Sequence, residues 1–259
     1  MMHTEVKGLV LRTVDLKESD KLLTIFTEEK GIVTALARGA KSFKSRKMAA
    51  TQQFCYSSFV LREQGDKYQI TEASVIESFF GIRNSIEGLA LAAYIIEVLI
   101  DVGVEDKEVD LLRLALNSLY AISSGKYSLD KIKAVFEIRS VSILGFMPEA
   151  LECARCGRRD GDFFFDIMAG ATECFDCHKK STAAYETLAE EHEGHVVSIL
   201  SAGAKDAMCY AIYAPLEKIF SFTVSDEDMS LFSKAAERYI VNHLERSYKS
   251  LEFYNEVKR

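Results

Sequence analysis

The sequence predicts an α+β, multidomain chain. A small five-stranded β-barrel or sandwich comes first, an all-α helical domain follows, and a four-cysteine zinc ribbon is inserted in the helices. Three observations predict this. Up to Phe80 the apolar residues form short β-prone runs separated by turn residues. Beyond Phe80 they recur at helical spacing. Between residues 149 and 180 two Cys-x-x-Cys pairs interrupt the helices.

Val6, Leu9, Val10, Leu11 and Val14 form the first strand, ahead of the turn-like Lys17-Glu18-Ser19-Asp20. Leu22 to Thr27 is the second and Ile32 to Ala37 the third, with a turn at Glu29-Lys30-Gly31 between them. Phe54 to Leu61 is the fourth, and Gly65-Asp66 turns into the fifth, Tyr68 to Thr71. Short strands with turn signals at this spacing suit a small barrel or sandwich. Helices are expected over Leu89 to Val104, Val109 to Ser123 and Leu129 to Leu144, the last stopped by Gly145 and Pro148. Further helices are expected over 186–202, 205–213 and 226–254.

Cys153-x-x-Cys156 and Cys174-x-x-Cys177 are separated by 17 residues, the spacing of a zinc ribbon. Two thiolates on one tight turn can face a single ion, and a second such turn completes a tetrahedron. Gly157 suits a left-handed turn position, and Phe163-Phe164-Phe165 with Gly170 suggests a hairpin that brings the two knuckles together. Redox pairs and disulfides are the competing readings, and paired spacing in a reducing compartment favours the metal. Four thiolates close the coordination shell, so one Zn2+ here is structural. His178 is a potential replacement ligand or a surface histidine, while Cys55 and Cys209 read as small core residues.

Arg38, Lys41, Lys44, Arg46 and Lys47 put five cations and no acid into a ten-residue loop. Such a loop can follow a phosphate backbone while Phe43, Phe54 or Tyr56 stacks bases. A merely solvated loop is the bland alternative, and Phe54 and Tyr56, two apart on one strand face, suit a core equally well. The net charge of −7 excludes a protein that coats nucleic acid over its whole surface. Residues 1–80 carry 12 Lys and Arg against 10 Asp and Glu, a net of +2; the remainder carries 20 against 29, a net of −9. Nucleic acid therefore favours the N-terminal part, and protein partners the rest.

Enzyme classes find no support. Phosphate-loop, dinucleotide and nucleophile-elbow motifs are missing, and His192-Glu193-Gly194-His195 lacks the four-residue histidine spacing of a metalloprotease helix. Glu28-Glu29 and Glu190-Glu191 are adjacent and point apart, as solvated carboxylates do. Neither a signal peptide nor a membrane span is read from the sequence, since Leu89 to Ile100 is short and broken by Glu97. A cytoplasmic place is expected.

Gly8 to Thr27 (GLVLRTVDLKESDKLLTIFT), Gly31 to Lys41 (GIVTALARGAK) and Leu144 to Pro148 (LGFMP) before a cysteine pair resemble the RecO family of recombinational repair proteins. The resemblance covers about the first 180 residues and implies an OB-fold at 1–80. It further implies a helical domain at 81–148, a zinc ribbon at 149–180 and a second helical part at 181–259. It implies no catalysis but a mediator that binds single- and double-stranded DNA and anneals complementary strands. With RecR, such a mediator helps load RecA on SSB-coated DNA, which makes it nucleoid-associated. The family's basic surface maps onto Arg38, Lys41, Lys44, Arg46 and Lys47, with Arg12 and Lys21 as further candidates. Phe43 stands where a polar or basic residue is expected. The acidic SSB tail, with its apolar end, needs a groove with a basic rim, for which Lys133 and Arg139 are candidates. The remaining alternative is a zinc-ribbon adaptor that binds only protein or RNA.

Overall fold

The computed structural model describes residues 3–16, 19–65, 67–103, 108–186 and 197–258, with 181–186 as backbone only. Lys17, Glu18, Asp66, the Glu190-Glu191 pair and the His192–His195 stretch, all discussed above, lie outside the described residues.

Alternation, interrupted at bulges, builds the first sheet. Strands β1 (His3–Leu16), β2 (Asp20–Thr27) and β3 (Gly31–Ala37), helix α1 (Lys47–Ala50), and strands β4 (Tyr56–Gln64) and β5 (Lys67–Glu77) follow in order. Every second residue turns inward, so Val6, Val10, Leu23, Ile25, Val33, Ala35, Phe59, Leu61 and Ile70 fill one core. The strands close in the order β1-β2-β3-β5-β4, with β3 and β5 parallel at Ala35↔Tyr68 and Leu36↔Gln69. This is the five-stranded OB-fold barrel. Gly8 has no room for a side chain: a Cβ there would lie 2.6 Å from Ile25 and 2.8 Å from the Phe26 carbonyl.

β1 pairs with β2 on both sides of a bulge between Val10 and Arg12, while its pairing with β4 ends at Leu9. The chain entering β4 occupies the gap. Phe54 N–H donates to Val10 O at 3.0 Å, Val10 N–H to Cys55 O at 2.9 Å, and the Gln53 amide to Leu11 O at 3.0 Å. β5 runs well beyond the Tyr68–Thr71 stretch expected, because Ala73 to Val75 continue to pair with Ser57 to Phe59.

The chain divides into two units, Met1–Lys126 with Tyr248–Arg259, and Tyr127–Ser247. In the first, α2 (Ile86–Asp101) and α3 (Val109–Ser124) follow the barrel. Ser85 caps α2 by accepting from Gly88 N–H at 2.9 Å, and Gly125 ends α3 with φ of 62°.

In the second unit, α4 (Leu129–Ile143) is followed by β6 (Phe163–Asp166), β7 (Ala171–Cys174), α5 (Phe175–Glu186), β8 (Val197–Leu200), α6 (Ala202–Tyr213) and α7 (Asp226–Leu244). β6 and β7 form the expected hairpin, with Gly170 at φ of 66°. β8 corrects the end of the helix expected over 186–202, of which residues 187–196 lie outside the described residues. Val197-Ser198-Ile199-Leu200 buries alternate residues and pairs with β6, and Ser201 then caps α6. The single helix expected over 226–254 is two helices. Glu245 takes a left-handed φ of 51°, and α8 (Lys249–Val257) belongs to the first unit. There Glu97 of α2 accepts from Ser250 N–H at 3.0 Å, and Tyr94 meets Tyr248 edge-on at 5.6 Å.

Candidate nucleic-acid interface and metal centre

The register places three connections at one end of the barrel. Lys21 pairs with Ala37, and Leu36 lies beside Gln69. The β1–β2 turn, the exit from β3 and the β4–β5 turn therefore share that end. In barrels of this topology the β1–β2 and β4–β5 connections flank the oligonucleotide-binding face. The basic loop leaves β3 here and is fastened to the β1–β2 side. Gly39 N–H donates to the Asp20 carboxylate at 2.9 Å and Lys41 N–H to Ser19 O at 3.0 Å, while Lys41 Nζ pairs with Asp15 at 3.3 Å.

The run is thus free of acid in sequence but not in space. One of its five cations is matched by a carboxylate; Arg38, Lys44, Arg46 and Lys47 have no ion-pair partner among the described residues. Arg38, Lys44 and Arg46 are exposed, Lys47 is half-buried and begins α1, and Phe43 is 94% exposed. Arg12 is exposed just beyond the β1 bulge. Lys21 is not on the open surface: its side chain has the same inward parity as Leu23, and the residue is only 7% exposed.

Two aromatics considered as base platforms are not available. Phe54 is 5% exposed, lies in the connector before β4 rather than on the strand, and takes φ of 71° beneath the Arg83 guanidinium, 5.9 Å from its ring centre. Tyr56 is half-buried and donates to the Glu28 carboxylate. Desolvation, then that carboxylate, pushes its phenol pKa upward.

The metal centre is built from two knuckles. Gly157 at φ of 72° turns the first, where Gly157 N–H donates to Cys153 O at 2.9 Å and Cys153 N–H to Arg158 O at 2.7 Å. The end of β7 supplies Cys174 to the second, and the first turn of α5 brings Cys177 beside it. All four sulfurs lie within 4.8 Å of one another, with Cys156 and Cys174 at 3.7 Å. Sulfurs on a tetrahedral zinc, at about 2.3 Å each, sit roughly 3.8 Å apart, so the donor set fits a metal ion in size and chemistry.

Burial pushes Cys153 up, but the N–H groups of Cys174, Cys156 and Arg155 outweigh it and bring the pKa down to about 6. Cys177 is pushed up to about 12 by sharing its proton with Cys156 and Cys174. His178 is not among the clustered ligands. It meets Glu173 at 3.2 Å and stacks on Phe164 at 3.9 Å.

Two residues proposed for a basic rim are otherwise engaged. Lys133 is buried and pairs with Glu137 at 2.9 Å and Glu237 at 2.7 Å, so it has no surface on which to meet a partner. Arg139 reaches the C-terminal end of α6, donating to Ala214 O at 3.2 Å. Lys205 was missed by sequence reasoning. It is buried beneath the first knuckle, donates to Leu151 O at 3.2 Å and to Arg159 O, and lies 4.6 Å from the Phe163 ring centre. Its signal was its place on the apolar face of α6, three and seven residues before Met208 and Ile212.

Two family descriptions match the chain, Recombination protein O N terminal over residues 1–79 and Recombination protein O C terminal over residues 83–252. A DNA repair protein RecO of Acetivibrio thermocellus is 34% identical over 261 residues, covering 100% of this chain and 99% of its own. The chain belongs to the RecO family. Another RecO, of Caldicellulosiruptor saccharolyticus, is 31% identical over 100% of both chains. The RecO of Bacillus subtilis is 34% identical over 69% of this chain and 70% of its own. The boundary between the two RecO segments falls at the short 3-10 turn Phe80–Asn84, where the barrel gives way to helices.

Proposed function

We propose that this chain acts in DNA repair and recombination as a non-catalytic mediator. In this role it binds single- and double-stranded DNA through the N-terminal barrel, anneals complementary strands and, with RecR, helps load RecA on SSB-coated DNA. The observation that carries the proposal is the set of loop cations Arg38, Lys44, Arg46 and Lys47, unmatched among the described residues, at the barrel end that holds the β1–β2 and β4–β5 connections. Cations there neutralise phosphates and release condensed counterions. Arg12 extends the cationic surface. Lys41, held by Asp15, contributes mainly by fastening the loop.

The names of the relatives support the repair role. The acidic remainder, with its net of −9, suits protein partners better than phosphate. Cys153, Cys156, Cys174 and Cys177 would hold one Zn2+, which supplies four bonds across two knuckles and no open position for a reacting water. In a cell such a mediator works in the cytoplasm at the nucleoid. Among the described residues no helix is long and apolar enough to cross a membrane.

Binding of a labelled single-stranded oligonucleotide across a salt series tests the proposal. The full chain is expected to bind, with affinity falling steeply as salt rises. The double reversal Lys44→Glu with Arg46→Glu should weaken binding and flatten the logarithmic salt slope by about 1.4, or about 0.7 for each lost phosphate contact. Unchanged affinity and slope would remove the loop from the interface. A chain that ignores DNA but captures a protein partner would favour the adaptor alternative.

A further inference from the structure

We infer that Phe43 is the platform on which an unpaired base stacks, and that it sets a preference for single over double strands. The inference rests on the DNA-binding proposal above and adds to it a residue, a contact and a specificity.

Phe43 has no role in the fold. It is 94% exposed and makes no ring contact among the described residues. No other large apolar side chain described here is so open; the next is Phe80 at 70%. Isolated apolar residues on a surface need no special explanation, but this one is displayed on a braced backbone. Phe43 is the second residue of a turn closed by Ser45 N–H to Ser42 O at 2.8 Å, and a preceding turn is closed by Ser42 N–H to Gly39 O at 3.3 Å. The Ser42 and Ser45 hydroxyls accept from Lys44 N–H at 3.4 Å and Lys47 N–H at 3.3 Å. Together with the bonds of Gly39 and Lys41 to the β1–β2 side, these hold the turn in place. A ring presented on such a turn loses little freedom when it binds.

Its neighbours complete the site. Lys44 follows directly, and Arg46 and Arg38 are exposed on the same loop. Cations for phosphates beside a free aromatic face for bases are the two components of single-strand recognition. Of the three aromatics near the loop in sequence, burial removes Phe54 and the Glu28 hydrogen bond occupies Tyr56, which leaves Phe43. In a duplex each base is already stacked on both faces, so only its phosphates meet the loop. The ring therefore adds affinity for unpaired strands and little for paired ones.

The chain contains no tryptophan, so Phe43→Trp creates a single fluorescent reporter at the proposed contact, distinguishable from the 11 tyrosines by its longer excitation wavelength. With the full chain, a deoxythymidine oligonucleotide is expected to quench the Trp emission, and the matching duplex to quench it much less. Phe43→Ala should lower single-strand affinity by about tenfold while leaving duplex affinity and the salt slope in place. Truncating a side chain this exposed leaves the barrel core intact, and a thermal melt checks that it does. If the oligonucleotide binds by anisotropy but the Trp emission stays constant and Phe43→Ala keeps the parent ratio of single- to double-strand affinity, the stacking role is wrong and the DNA proposal survives. If the parent chain binds neither oligonucleotide, the DNA proposal fails and the stacking role fails with it.

Discussion

Lys133 shows how far one residue can depart from its local pattern. Its ammonium lies between Glu137, one turn along α4, and Glu237 on α7. Desolvation opposes the charge, but the two carboxylates outweigh it and raise the lysine pKa. Removing one member of a buried network leaves the others uncompensated, at a cost of roughly 3–5 kcal/mol, whereas an apolar replacement of the set can be neutral. Lys133→Met is therefore expected to lower the urea midpoint sharply, and adding Glu137→Leu should recover part of the loss. A group whose folded pKa is raised stabilises fully below its unfolded value, near 10.4 for lysine, and the effect fades as pH climbs through the folded value. The gap in stability between parent and Lys133→Met should accordingly be widest at neutral pH and narrow in strong alkali. A gap that widened there would show that the charge does not stabilise the fold. In sequence, Lys133 was indistinguishable from a surface cation, because its second counter-ion is about a hundred positions away. Lys41 was similarly opaque: its partner Asp15 lies across a turn, outside the acid-free run. Phe43, by contrast, stays on the surface as its polar surroundings in sequence suggest.

At the scale of elements, local rules succeeded where each element fills its own pattern. Period-two alternation located the barrel strands, and two Cys-x-x-Cys pairs with a three-phenylalanine run between them located the knuckles and their hairpin. The rule failed at β8, whose four residues are set by pairing with β6 rather than by their own period. It failed again at Glu245, a non-glycine residue in left-handed geometry that no composition signal marks. The metal centre depends on such non-local support. Lys205 holds the carbonyls of Leu151 and Arg159, which bracket the first knuckle, and its ammonium faces Phe163, which packs against Cys153 and Cys174. On the proposed zinc site, a strong chelator should lower the thermal midpoint of the chain, and added Zn2+ should recover it. Lys205→Met leaves those carbonyls without their donor. It should weaken metal affinity in competition with a chromogenic chelator while all four cysteines remain. Parent-like affinity in that variant would show that α6 does not brace the knuckle.

At the scale of the whole molecule, segments far apart in sequence share one unit. The barrel, α2 and α3 are joined there by α8 from the far C-terminus. The contact is specific. Tyr248, Leu251 and Tyr254 are buried, Tyr248 donates to Asp101 at 3.0 Å, and Glu97 accepts from Ser250 N–H at 3.0 Å. Each large side chain so buried is worth roughly 1.5–3 kcal/mol, an appreciable part of a domain's net stability. A chain ending at Ser247 would lose all three and open the α2 face that holds Tyr94. That truncation should therefore destabilise the N-terminal unit, although it removes nothing from the barrel's own sequence. Hydrogen exchange on the intact and truncated chains would locate the effect. Amides of α2 should lose protection on truncation, and a synthetic peptide of residues 248–259 added back should restore part of it. If protection in α2 were the same with and without the last twelve residues, α8 would be an appendage and the barrel with its two following helices would fold without it.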